Sequence, residues 1–111
     1  MLRKAFRMSV HPDRHAEYAR RHQPIWQELE EVLVAHGVTT YSIFLDEVTS
    51  DLFAYLEVED ETRWDAIAAT PVCRRWWHYM RDLMPTHEDD RPVSRPLTEV
   101  FHIEARTPTP D

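Results

Sequence analysis

The stretch TYSIFLDEVTSDLFAYLEVE, residues 40–59, reads as two β-strands folded back on each other. Its second half alternates Leu52, Ala54, Leu56 and Val58 with Phe53, Tyr55, Glu57 and Glu59, the period of two that a half-buried strand requires. Thr40 to Asp46 is rich in the β-branched and aromatic residues that fit a pleated surface. Glu47 to Asp51 between them is short enough for a hairpin.

On both sides of this hairpin the period changes. From Asp13 to His36 a stripe of His15, Tyr18, His22, Trp26, Leu29, Leu33 and His36 recurs every three or four positions, as on one face of a helix. Pro24 interrupts the run because it lacks an N–H and disfavours helix at Gln23; it is expected in the first turn of a second segment. Gly37 is the expected stop. Beyond the hairpin, Asp60 and Glu61 open a helix at the end where the macrodipole favours acids. Thr70-Pro71 restarts it, with Thr as cap and Pro at the first helical position, and the pattern runs to about Leu83.

At the N-terminus Leu2, Lys4, Phe6, Met8 and Val10 alternate with Arg3, Ala5, Arg7 and Ser9, which predicts another strand. Pro85 to Pro96 reads as a polar, proline-rich loop and Thr98 to Ile103 as a last strand. The order β-α-β-β-α-β defines an α+β, ferredoxin-like fold with a four-stranded antiparallel sheet. Two broken helices then cover one face, and the other face needs cover from a second sheet. Residues 1–104 form one expected domain and 105–111 a flexible C-terminal tail.

The composition narrows the function. A net charge of -7, from 20 acids against 13 Lys and Arg, repels duplexes and anionic membranes, so neither nucleic acid nor membrane is an expected partner. The single cysteine, Cys73, has no intramolecular partner and fits a reducing, cytoplasmic location. Residues 1–10 lack the apolar run of a signal peptide. One glycine leaves no Gly-rich phosphate cradle.

What remains are polar side chains among aromatics. Tyr18 and His22, at i and i+4, share a helix face, and a histidine titrating near neutrality can give or take a proton. From spacing alone the commoner reading of His22 is a partly exposed helix-end histidine beside Arg20 and Arg21. Trp76 and Trp77 point about 100° apart, so both are buried only where two surfaces meet: either core, or the wall of a pocket on which a sugar ring rests. His11, His15 and His22 converge on a metal only if the start of the first helix gathers them, and no acidic or cysteine ligand completes a familiar spacing; no metal is expected. Glu57 and Glu59 read as a solvated edge.

Several segments together resemble the L-rhamnose mutarotases. They are Arg3-Lys4-Ala5-Phe6, Tyr18-Ala19-Arg20-Arg21-His22-Gln23-Pro24-Ile25-Trp26, His36-Gly37, Tyr41-Ser42-Ile43-Phe44-Leu45, Arg63-Trp64, Cys73-Arg74-Arg75-Trp76-Trp77, Met84-Pro85, Pro92-Val93 and Glu99-Val100-Phe101. The resemblance runs in register to Ile103. It implies a homodimer whose sheets pack face to face as a dimeric α/β barrel. The residue matching the family's proton donor is His22, and those matching its sugar site are Tyr18, Tyr41, Trp76 and Trp77. It also implies an isomerase that interconverts the α and β anomers of L-rhamnose without a cofactor. A non-catalytic sugar-binding or regulatory module and a small oxygenase on the same fold are the alternatives.

Overall fold

The computed structural model describes residues 1–105, so all but the first residue of the expected tail at 105–111 lies outside the described residues. Its elements follow the chain as β1 (Leu2–Ser9), α1 (His15–Arg21), α2 (Gln27–Ala35), β2 (Val38–Asp46), β3 (Asp51–Val58), α3 (Glu61–Ile67), α4 (Pro71–Met80) and β4 (Arg95–Leu97). The strands form one antiparallel sheet in the order β2-β3-β1-β4. That is the order of a ferredoxin-like sheet, and the four helices are the two broken helical runs read from the periodicity.

Register explains the two faces. Leu56 pairs with Lys4 and Tyr41, Ala54 with Phe6 and Ile43, and Leu52 with Met8 and Leu45, so these side chains share the inner, helix-covered face. On β3 the inner residues Leu52, Ala54, Leu56 and Val58 are at most 1% exposed. Val72, Cys73, Trp76 and Met80 of α4 and Leu29 of α2 are buried above them. Burying each such Leu or Val contributes about 1.5–3 kcal/mol, enough to make the sheet register costly to shift. The outer face carries Phe44, Phe53, Tyr55 and Leu97, all exposed.

Local chemistry sets most boundaries. Asp60 caps α3 by accepting a hydrogen bond from Thr62 N at 2.7 Å. Gly37 ends the first helical run at φ +91°, where an added Cβ would also meet Glu59 Cβ at 3.2 Å.

Four expectations need correction. Pro24 is not in the first turn of a helix: α2 begins at Gln27, and Gln23–Pro24 is a cis peptide in the connection. Thr70 holds the N-cap position of α4 but makes no side-chain capping bond; its Oγ1 donates to Ile67 O at 2.7 Å. That helix ends at Met80, short of Leu83, and the chain turns there. The last strand is Arg95–Leu97, inside the expected loop and not at Thr98 to Ile103. Pro96 is tolerated there because β4 is an edge strand that needs no outward N–H. After Leu97 the chain leaves the sheet, held by Arg3 and Glu99 at 2.7 Å, with Val100, Phe101 and Ile103 more than 75% exposed. Their β-propensity finds no partner strand among the described residues, and propensity without pairing does not make a strand.

Candidate functional site

Between the helices and the inner face of the sheet lies a cavity of about 1350 Å³, lined among others by Tyr18, His22, Tyr41, Trp64, Trp76 and Trp77. All five residues singled out from the sequence line this cavity. They arrive from α1, the loop position after it, β2 and α4.

The aromatic lining forms two clusters. In the first, the Tyr18 and His22 rings lie 4.5 Å apart and Trp76 meets His22 edge-on at 5.2 Å. Trp26, at the start of α2, packs against Trp76 at 5.1 Å. In the second, Tyr41 stands 6.5 Å from Phe6 and 6.1 Å from Trp64. In the sequence Trp64 stands out only within the Arg63-Trp64 segment of the resemblance, without a site role; its place in the cavity follows from Phe6 and Tyr41 being on the inner face. The adjacent tryptophans divide as their angular separation requires. Trp76 is buried, whereas Trp77 is half-buried, with the Arg74 and Arg91 guanidiniums 5.4 and 5.5 Å from its ring centre.

Hydrogen bonding fixes the state of His22. Its Nδ1 lies 2.7 Å from Tyr18 O, and a carbonyl can only accept, so Nδ1 carries a proton and donates it. Nε2 is then the open nitrogen, a lone pair when the ring is neutral. Burial lowers the His22 pKa below the ordinary 6.5, and the bond to Tyr18 O only partly opposes this. The ring is neutral at pH 7. Burial likewise raises the Tyr18 and Tyr41 phenols, which stay protonated, and pushes the Cys73 thiol up to about 11.

Two cations of the cavity lining are paired with acids. Lys4 on the inner face is paired with Glu61 at 2.7 Å, and Arg3 with Glu99. No hydrogen bond among the described residues engages Tyr18 Oη, Tyr41 Oη, His22 Nε2 or the indole nitrogens of Trp76 and Trp77, and none of these atoms is sealed from solvent. Hydroxyl, imidazole and indole groups beside aromatic faces suit a polyhydroxylated ring.

The three histidines weighed for a metal do not converge. His11 is exposed, His15 Nε2 lies 2.8 Å from Ser50 Oγ, and His22 is committed to Tyr18 O. Among the described residues no three His, Cys, Asp or Glu are grouped to hold a metal ion. A second, more open hollow lies outside α4, where Arg21 is paired with Asp82, Arg75 with Glu28 and His78 with Asp90. Glu59 is paired with Arg63. No helix among the described residues is long and apolar enough to cross a membrane.

Comparison with known proteins bears on the family and the fold. Residues 3–103 match the family model for L-rhamnose mutarotase. L-rhamnose mutarotases of Yersinia pestis and Yersinia pseudotuberculosis are 60% identical over 104 residues, covering 94% of this chain and all of theirs. The crystal structure of L-rhamnose mutarotase from Formosa agariphila superposes with a TM-score of 0.86 at 38% identity, over 94% of this chain and all of that one. An antibiotic biosynthesis monooxygenase superposes with a TM-score of 0.60 at 16% identity, covering 91% of this chain and all of its own, a likeness of fold alone.

Proposed function

This chain belongs to the L-rhamnose mutarotase family, and on that premise we propose that the aromatic cavity is where it interconverts the α and β anomers of L-rhamnose, with His22 moving the proton. The observation that carries the assignment is the Tyr18 carbonyl on His22 Nδ1, which leaves Nε2 open in a cavity lined by aromatic rings and the Tyr18 and Tyr41 hydroxyls.

The chemistry needs one proton taken and one given. Neutral His22 takes the proton of the anomeric hydroxyl on Nε2; the C1–O1 bond becomes a carbonyl as the bond from C1 to the ring oxygen breaks. The imidazolium so formed is the proton donor to that ring oxygen. One nitrogen serves both atoms because both oxygens are bonded to C1. The free aldehyde rotates about its bond to C2, and the reverse transfers close the other anomer. Tyr18 and Tyr41 hold sugar oxygens through their protonated hydroxyls, while Trp76 and Trp77 shield the ring from water. A lowered pKa supports the cycle twice: it keeps the base form dominant at pH 7 and makes the imidazolium a stronger acid.

A second copy of the chain is the natural cover for the outer sheet face, giving a homodimer. Support comes from the exposed Phe44, Phe53, Tyr55 and Leu97 on that face and from Val100, Phe101 and Ile103 on the arm beyond it. A cytoplasmic location fits the lone, buried, unpaired Cys73.

Saturation transfer between the two anomeric protons of L-rhamnose tests the activity. Protein should speed the exchange and leave the equilibrium anomer ratio unchanged; sugar binding without faster exchange would reduce the protein to a binding module.

A further inference from the structure

We propose that His15 recognises the end of the pyranose remote from the anomeric carbon, with Ser50 fixing its imidazole. This rests on the mutarotase reading. His15, Tyr18 and His22 stand at i, i+3 and i+7 and line the same cavity from one face of the α1 run. Seven residues at 1.5 Å separate His15 from His22 by about 10 Å. That is close to the reach of a pyranose with a hydrogen bond of about 2.8 Å at either end. A sugar whose C1 lies at His22 therefore extends toward His15.

The support of His15 is built by distant parts of the chain. Ser50 Oγ, 2.8 Å from His15 Nε2, belongs to the sole buried polar residue among those described. Ser50 is held at φ +64°, a left-handed conformation unusual for serine. Its N–H donates to Asp46 O at 2.8 Å and its carbonyl accepts from Val10 N at 3.0 Å. Asp46 Oδ1 further accepts from Val48 N and Thr49 N. The hairpin turn thus orients a hydroxyl that orients an imidazole, an arrangement that occupies Nε2 and leaves Nδ1 without a partner among the described residues. In a cavity also lined by Met8, Leu52 and Met84, a sugar hydroxyl that loses this contact has few polar substitutes, so the contact discriminates among sugars.

The test compares wild type, His15→Ala and Ser50→Gly on L-rhamnose and on its 2-, 3- and 4-deoxy derivatives, with anomer exchange and tryptophan fluorescence as readouts. Losing one hydrogen bond to a neutral hydroxyl should raise KM roughly three- to tenfold in His15→Ala, with kcat within about twofold. One deoxy sugar should cost the wild type a similar factor and cost His15→Ala nothing further. Ser50→Gly removes the hydroxyl while suiting the positive φ, so it should fold normally and raise KM by less. An unchanged KM in His15→Ala, a loss confined to kcat, or the same loss for every deoxy sugar would each overturn the proposal. If the wild type does not speed exchange at all, the mutarotase reading fails instead, and the fluorescence titrations still report whether binding depends on His15.

Discussion

The two faces of the sheet are both incomplete, in opposite senses. The inner face is covered by helices, yet the cavity it encloses leaves Tyr18 Oη, Tyr41 Oη and His22 Nε2 without partners. The outer face satisfies its backbone but leaves Phe44, Phe53 and Tyr55 to solvent. Polar groups that reach an open cavity without protein partners are free to bind a ligand, and a cluster of exposed aromatics is costly unless a surface covers it. The contrast teaches that the inner face is shaped for a small polar molecule and the outer face for a large apolar one.

The strongest way to break this distinction is His22→Ala. Removing the proton carrier should lower kcat for anomer exchange by ~10²–10⁴, with KM and circular dichroism close to wild type. A folded variant with wild-type kcat would move the chemistry away from the inner face. Next in size, Trp76→Ala should destabilise the fold by about 3–5 kcal/mol in urea melts, because Trp76 is 8% exposed and packs on both His22 and Trp26. An unchanged midpoint would mean that the inner aromatic cluster is not core.

Activity should respond to pH with a definite sign. The neutral ring is the working form and its pKa lies below 6.5, so kcat/KM should be level through neutrality and fall about tenfold per unit below that pKa. A fall beginning above pH 7 would contradict the burial of His22. Trp77→Ala should act more gently: half-buried and facing the cavity, it should weaken L-rhamnose binding roughly several-fold while the fold stays native. Global unfolding would place Trp77 in the core. On the outer face, Phe44→Glu with Phe53→Glu should halve the mass seen by light scattering, from about twice 13.3 kDa, and leave the monomer's circular dichroism intact. A wild type that is already monomeric would remove the reason for the outer aromatics.

Much of this protein was legible in its sequence, because strand and helix periods are local. The alternation at Leu52 to Val58, the helical stripe from His15 and the stop at Gly37 each depend on backbone geometry within a few residues, and their order determined the sheet order. Tyr18 and His22 sharing a face followed from the same period, and the motifs running through Trp76 and Trp77 identified the family. The boundary of the last strand was not legible, since Arg95–Leu97 is a strand only because β1 presents an open edge to it. Nor was the tautomer of His22, which depends on one carbonyl at 2.7 Å, or the contact of His15 with Ser50 across 35 residues of chain. Those features belong to the tertiary structure alone, because a hydrogen bond between distant segments exists only once packing has set their distance and angle, and no local period encodes either.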